Sequence, residues 1–290
     1  MDTARYKAFL ASAELGSFSA AAEELNYTPS GVSQLVNALE KELGIVLLHR
    51  SRKGVVPTAE AERLLPAMRG VLQQEEQIYQ LVAEMNGLQI GSVTIASYFS
   101  IATHWLPKVI RDFQKEYPQI EIKLLEGTRR EIEERLDSRQ ADMAFFSYME
   151  PMRYAWLPLA EEPILAILPQ SHPLAQAEVY PLSHCDKDQF IMPESGADDD
   201  VMAILHQNGV YPNVRFFTRD NFAAIPLVEQ GIGISIMNEL LTQRWEYDVR
   251  KLPLDPPQKT TFGIAALDFK RLSPAAARFL KFAAERLRKD

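Results

Sequence analysis

Four side chains between Pro29 and Glu40 carry hydrogen-bonding groups along one helical face. Ser30, Ser33, Gln34 and Asn37 fall at i, i+3, i+4 and i+7, and none bears a fixed negative charge. Such a face can enter the major groove of DNA and read base edges, with Gln suited to adenine. An ordinary solvated helix surface has the same pattern, so the face alone leaves both readings open. A second cluster supplies cations. Three of the six bases among the first 57 residues fall in Arg50-Ser51-Arg52-Lys53, followed by Gly54. A basic turn of this kind suits the phosphate backbone, where positive charge releases counterions.

Other chemistry finds little support. Cys185 is the one cysteine, so an intrachain disulfide and a cysteine metal cluster are both excluded. It reads as a buried, inert thiol, with a redox sensor as the alternative. His49, His104, His172, His184 and His206 lack a ligand spacing, so no metal and no cofactor are expected. Gly231-x-Gly233 is followed by Ile236 and is not a dinucleotide fingerprint. Neither a nucleophile elbow nor a P-loop occurs. An enzyme is not expected.

The elements that must position these groups can be read from periodicity. Residues 3–14 place Tyr6, Phe9, Leu10 and Ala13 on one face. Ser17 is a good N-cap for a second helix, with Phe18, Ala21, Ala22 and Leu25 inward and a stop near Asn26. Thr28 caps the third, Pro29 occupies its first position, Val32, Leu35, Val36 and Leu39 form the buried stripe, and Gly44 ends it. Residues 45–48 then read as a short strand, 49–54 as its basic turn and 55–57 as the return: a hairpin beside the helices.

Gly16 through Leu25, Ser33-Gln34, Leu39-Glu40, Glu42-Leu43-Gly44, and Leu47 through Arg50 with Pro57-Thr58 resemble the LysR-type transcriptional regulators. The resemblance is strong over about the first 65 residues. It implies a winged helix-turn-helix over 1–58, with Ser30, Ser33 and Gln34 toward the groove; Asn37 joins them only through the polar face described above. Ser17 and Thr28 would stand at the helix starts against DNA, and Arg50, Arg52 and Lys53 against the backbone. Leu48 stands where the family prefers Phe, Asn37 where a base is common and Ala61 where Gly is frequent. The implied partners are double-stranded DNA, a small-molecule effector, a second copy of the chain within a dimer or tetramer, and RNA polymerase.

A long helix is expected over 59–87, capped by Thr58, with Pro66 a potential kink. Leu64, Met68, Val71, Ile78, Val82 and Met85 follow a heptad, interrupted by Glu75, which reads as a dimer seam or as a stripe against the chain's own domains. Two recognition helices in a dimer would read paired half-sites. Residues 88–91 read as a hinge.

From residue 92 strands and helices alternate: 93–96, 101–117, 120–125, 128–139 and 143–146 give a βαβαβ pattern and a parallel sheet. A second lobe, 163–262, would hold segments 190–192, 198–208, 214–217, 221–230 and 232–237. The chain would return to the first lobe (92–162 with 263–290) through strand 262–267 and helix 274–288. Gln140 through Ala144, His172-Pro173-Leu174 and Val228 through Ile234 continue the resemblance, while Asn238 stands where Pro is usual. It implies a two-lobed α/β effector domain resembling a periplasmic binding protein, with the ligand between the lobes. Carried over by position, the pocket would use Ser97, Phe99, Ser100, Thr128, Phe146 and Ser147. Ser100 and Thr128 read as helix caps whose neighbouring N–H groups favour an anion. Glu194, Asp198, Asp199 and Asp200 cluster on the second lobe, either complementing a helix N-terminus or facing the cleft and attracting an amine. Glu194 is the acidic pocket candidate.

The 290 residues are enough for two or three domains, and 47% apolar with 24% charged residues is a globular composition. The net charge of −8 lies wholly beyond residue 57, since six bases balance six acids before it. A neutral tip with a cationic turn on an acidic body can hold DNA in one orientation. The first fifteen residues lack a signal-peptide core and no segment reads as a membrane span, so the cytoplasm is the expected location. A solute-binding protein and a helix-turn-helix that binds only protein are the remaining rivals.

Overall fold

Each of the first three helices begins and ends where nearby groups satisfy its free backbone. The computed structural model describes residues 2–193, 200–218, 221–243 and 246–288. Helix α1 (Thr3–Leu15) is capped by the Asp2 carboxylate, which accepts from the Ala4 amide. Helix α2 (Phe18–Leu25) is capped by Ser17 and stops at Asn26, in the left-handed region with φ 57°. Helix α3 (Pro29–Leu43) starts from Thr28, whose hydroxyl accepts from the Gly31 amide, and ends at Gly44 with φ 71°. Phe9, Ala21, Val32, Val36 and Leu39 close together into one buried core, each large apolar side chain contributing about 1.5–3 kcal/mol.

The wing differs in register from the sequence expectation. Strand β1 covers Leu48–Ser51 and strand β2 covers Gly54–Pro57, paired antiparallel from Leu48↔Pro57 to Ser51↔Gly54. Residues 45–47 stay outside the ladder because the Glu40 carboxylate captures the Leu47 amide at 2.8 Å and the Leu48 amide at 3.1 Å. The basic residue Arg50 therefore lies in the strand, and Arg52-Lys53 form the tip. Gly54 has φ 129°, and a Cβ there would lie 2.3 Å from the Gly16 carbonyl oxygen. Only glycine fits.

Helix α4 (Ala59–Met85) runs 27 residues, about 40 Å, through Pro66. Its first half belongs to the N-terminal core. Met68 is only 6% exposed within that core and Leu64 is packed against it, so the chain's own helices cover these two proposed seam residues. Glu75, the seam's exception, accepts from the Thr3 hydroxyl at 2.7 Å and pairs with Lys7 at 2.9 Å. Val71, Ile78, Val82 and Met85 remain 45%, 62%, 51% and 83% exposed in the single chain. Farther on, α4 meets the C-terminal half through polar contacts. Arg69 donates to the Ser138 carbonyl, Gln73 to the Arg139 carbonyl, and Gln80 accepts from the Ala275 amide.

The C-terminal half is built on strand β3 (Gly91–Ser97), helix α5 (Phe99–His104), helix α6 (Leu106–Glu116), strand β4 (Ile120–Glu126), helix α7 (Arg129–Asp137) and strand β5 (Met143–Ser147). The expected helix over 101–117 is broken at Trp105, just before Pro107. β3 pairs in parallel with β4 and β5. One face of this sheet holds Val93, Ile95 and Phe145 against Phe113 of α6; the other holds Ala96, Ala144 and Phe146 against Ile132 and Leu136 of α7.

Two long antiparallel strands then serve both lobes. Strand β6 covers Ala155–Pro169; after β7 (Tyr180–Pro181), β8 (Gln189–Pro193), α8 (Asp200–Gln207), β9 (Asn213–Thr218), α9 (Asn221–Glu229) and β10 (Ser235–Asn238), strand β11 covers Val249–Ala266. Helix α10 (Pro274–Leu287) closes the chain by covering the first lobe with Phe279 and Phe282. The main sheet has the order β10-β6-β11-β5-β3-β4. Leu159 and Phe262 belong to the first lobe's core, Ile164, Leu252 and Leu254 to the second's. The β11 register shifts between Pro253 and Gln258 and between Phe262 and Gly263. The strand expected over 262–267 is thus the end of the longer β11, and the lobe boundary expected at 163 falls inside β6.

Candidate nucleic-acid interface and interlobe site

The third helix turns its polar face outward. Ser30, Gln34 and Asn37 are exposed and Ser33 half-buried, while Val32, Val36 and Leu39 are sealed beneath. The Thr28 hydroxyl is committed to the Gly31 amide and lies 3.1 Å from the Ser30 hydroxyl. Ser17 is likewise committed, accepting from the Ser19 and Ala20 amides. Arg52 and Lys53 stand exposed at the wing tip.

Arg50 is held rather than free. Its Nη2 donates to Glu40 at 3.0 Å and to the Asn37 amide oxygen, and its guanidinium lies 5.2 Å from the Phe18 ring centroid. A cation therefore sits beside Asn37, brought from the neighbouring strand. Glu40 is the residue that sequence reasoning missed: it binds two amides and one guanidinium, tying the wing to α3. A carboxylate on the helix edge nearest a short strand was the available signal. Glu40→Ala should lower unfolding stability by about 1–3 kcal/mol for each donor left buried without a partner. Glu40→Gln, which keeps an acceptor, should lose less; chemical denaturation of both variants checks the order.

Between the lobes the predicted residues divide. Ser100 is buried and lines a cavity of about 30 Å³ with Tyr98, Asn238 and Asp200. It is the second residue of α5 and does not cap it. Ser147 is fully buried at the centre of the site: its Oγ accepts from Arg129 Nη2 at 2.8 Å, lies 3.1 Å from the Tyr98 hydroxyl and donates to Asp200 Oδ1 at 2.7 Å. Thr128 is spent in a capping box with Glu131. The Ser97 hydroxyl donates to the Tyr98 carbonyl and is buried. Phe146 is fully buried against Tyr154 and Trp156, on the sheet face covered by α7, so it offers no surface to a ligand. Phe99 remains part-exposed outside the cavity. Glu194, Asp198 and Asp199 lie outside the described residues.

Asp200 is the described member of the acidic group, and it faces the first lobe. Burial pushes its carboxyl above the usual range, against the opposing pull of Arg129 and Ser147. Burial also works against the Arg129 charge, but Tyr98, Asp200 and Glu133 outweigh it and keep the guanidinium firmly protonated. Arg129 and Tyr98 were missed by sequence reasoning. The signal for Arg129 was a cation in the first turn of a helix, where the dipole disfavours it. Cys185 is buried, and burial pushes its thiol up to about 12, as suits an inert side chain.

Comparison with known proteins decides what this arrangement belongs to. Residues 4–62 match the family model described as a bacterial regulatory helix-turn-helix protein of the lysR family, and residues 86–288 match the LysR substrate binding domain. The chain belongs to the LysR family. It is a transcriptional regulator with a DNA-binding helix-turn-helix and an effector-binding domain, not an enzyme. Among its relatives, the HTH-type regulator YvbU of Bacillus subtilis is 29% identical over 98% of each chain. The transcriptional activator CmpR of Synechocystis is 28% identical over 81% of this chain and 78% of that one. Full-length OxyR from Pseudomonas aeruginosa shares the fold with a TM-score of 0.78 at 19% identity, covering 99% of this chain and 98% of that one. CbnR, solved with its target DNA, aligns with a TM-score of 0.68 at 21% identity over 98% and 99%. The winged helix-turn-helix, linker and two-lobed domain expected of a LysR-type chain are thus all present.

Proposed function

We propose that this LysR-type regulator reads specific DNA sequences through the outward face of α3, anchors on phosphates through the wing, and changes promoter output when a small molecule binds between its lobes. The observation that carries this reading is the outward turn of Gln34 and Asn37 over the buried Val32, Val36 and Leu39, with Arg52 and Lys53 exposed at the wing tip. The working division is 1–58 for DNA, 59–87 for the linker, 88–91 for the hinge, 92–162 with 263–290 for the first lobe and 163–262 for the second. Two copies joined along the exposed part of α4 present two recognition helices to paired half-sites, as a dimer or within a tetramer. RNA polymerase is the downstream partner.

The effector acts only if it binds two arrangements of the lobes unequally. No helix among the described residues is long and apolar enough to cross a membrane, and the cytoplasm, where promoters lie, is the proposed location. CbnR's structure holds its target DNA, and the QuiR effector-binding domain holds shikimate; by analogy, this chain takes a duplex at one end and a metabolite at the other.

Salt dependence tests the reading. Binding to a duplex must weaken steeply as salt rises. Arg52→Ala should weaken all sequences alike and reduce the logarithmic salt slope by about 1. Fluorescence anisotropy on cognate and scrambled duplexes measures both, and a chain that ignores duplexes even in dilute buffer overturns the assignment.

A further inference from the structure

Arg129 is the cation of the interlobe site, and its surroundings are those of a receptor for a carboxylate. Its side chain is 7% exposed. Nη2 donates to the Ser147 carbonyl at 2.6 Å and to Ser147 Oγ at 2.8 Å, and Nη1 donates to Glu133 at 3.1 Å. The Nε–H is buried with no hydrogen-bond partner among the described residues, and the guanidinium lies 4.9 Å from the Phe146 ring centroid. A buried donor without a partner costs free energy, and a guanidinium is built to hold a carboxylate by two parallel bonds.

The group now facing it is the chain's own. Asp200, from the start of α8 on the other lobe, takes one hydrogen bond from Ser147 but stands 3.7 Å from Arg129 Nη2, beyond hydrogen-bond reach. The carboxylate is thus removed from water with a long ion pair to the guanidinium and no hydrogen bond from it to offset that loss. The adjoining cavity of about 30 Å³ has room for roughly a water molecule. A larger guest must therefore displace Asp200.

We propose that Arg129, Ser147 and Tyr98 form a carboxylate-binding site, and that Asp200 is a tethered occupant which a free carboxylate ligand displaces. This rests on reading the cleft as the effector site and adds the ligand's chemical class. An amine is disfavoured on the same geometry: to meet Asp200 it would have to sit beside the buried Arg129 guanidinium. A carboxylate replaces like with like, and its hydrocarbon stem enters the space lined by Ile164, Ile236 and Met237. Release of Asp200 removes its hydrogen bond to Ser147 across the cleft, which couples occupancy to lobe position.

The test uses full-length protein at constant ionic strength, with sodium propionate and propylamine hydrochloride as probes in calorimetric titration and thermal shift. Propionate should bind and propylamine should not. Asp200→Asn should tighten propionate about tenfold, because the competent fraction of sites rises when the internal competitor is weakened. Asp200→Ala should do the same, so the result does not hang on one variant. Arg129→Lys, which keeps the charge but loses the fork, should weaken propionate at least tenfold. Unchanged or weaker propionate binding in both Asp200 variants overturns the proposal, as does binding of propylamine to the wild-type chain. A probe without a carboxylate that stabilises the wild-type chain and shifts its DNA footprint overturns the carboxylate assignment and leaves the regulator reading standing. Failure of the wild-type chain to bind any duplex overturns the regulator reading instead.

Discussion

Glutamates placed together at Val71 and Ile78 are expected to split the assembled regulator and lower its affinity for a DNA carrying two half-sites by 10²–10⁴-fold, the usual gain from linking two binding events. The two residues lie one heptad apart on α4 and are 45% and 62% exposed in the single chain. Nothing in the chain's own core depends on them, so the substitution leaves each protomer folded. In an interface they would face a second copy, where two added charges per helix lose solvation without a partner. Sedimentation velocity at micromolar protein reads the split directly. An intact dimer would show that the seam lies elsewhere on α4.

Gln34→Ala is expected to cost about 1–3 kcal/mol at the cognate site and to flatten the preference for one base pair. The Gln34 side chain is exposed on α3 and no core residue rests on it, so stability should be unchanged while recognition suffers. A loss shared by every sequence would mark Gln34 as a phosphate contact. An unaltered variant would mean that α3 is rotated away from the groove. Binding measured against all four base pairs at each position of the half-site separates these outcomes.

The two halves of the chain were legible to different degrees, for physical reasons. Helix ends in the first 57 residues are written in local chemistry: Ser17, Thr28 and Gly44 act within one turn of themselves. The wing's register was not legible, because it depends on Glu40 reaching across to two amides several residues away. In the C-terminal half, the βαβαβ unit showed its period. The long strands β6 and β11 did not: they contain Pro158, Pro163, Pro253, Pro256 and Pro257, a residue type disfavoured inside strands, and their register shifts between Pro253 and Gln258 and between Phe262 and Gly263.

The pocket was legible least. Ser100 and Ser147, expected by position, lie at or beside the interlobe cavity, but Phe146 faces away from it, since alternation along β5 sends neighbouring side chains to opposite faces. Thr128 and the linker's Met68 had a bland reading as well as a functional one, and local capping and core burial claimed them. Arg129 and Asp200 meet only because α7 and α8, on different lobes, are brought together, and no local pattern in the sequence encodes that meeting.

Gly54 and its neighbour bear on how quickly a duplex can be captured. The Val55 amide donates to the Gly16 carbonyl at 2.9 Å, which pins the wing near its tip to the turn between α1 and α2 before any nucleic acid arrives. A loop that ordered only on contact would surrender about 1–2 kcal/mol per residue. Here that cost is met during folding, so productive encounters are set by electrostatic approach and orientation instead of by rearrangement of the protein.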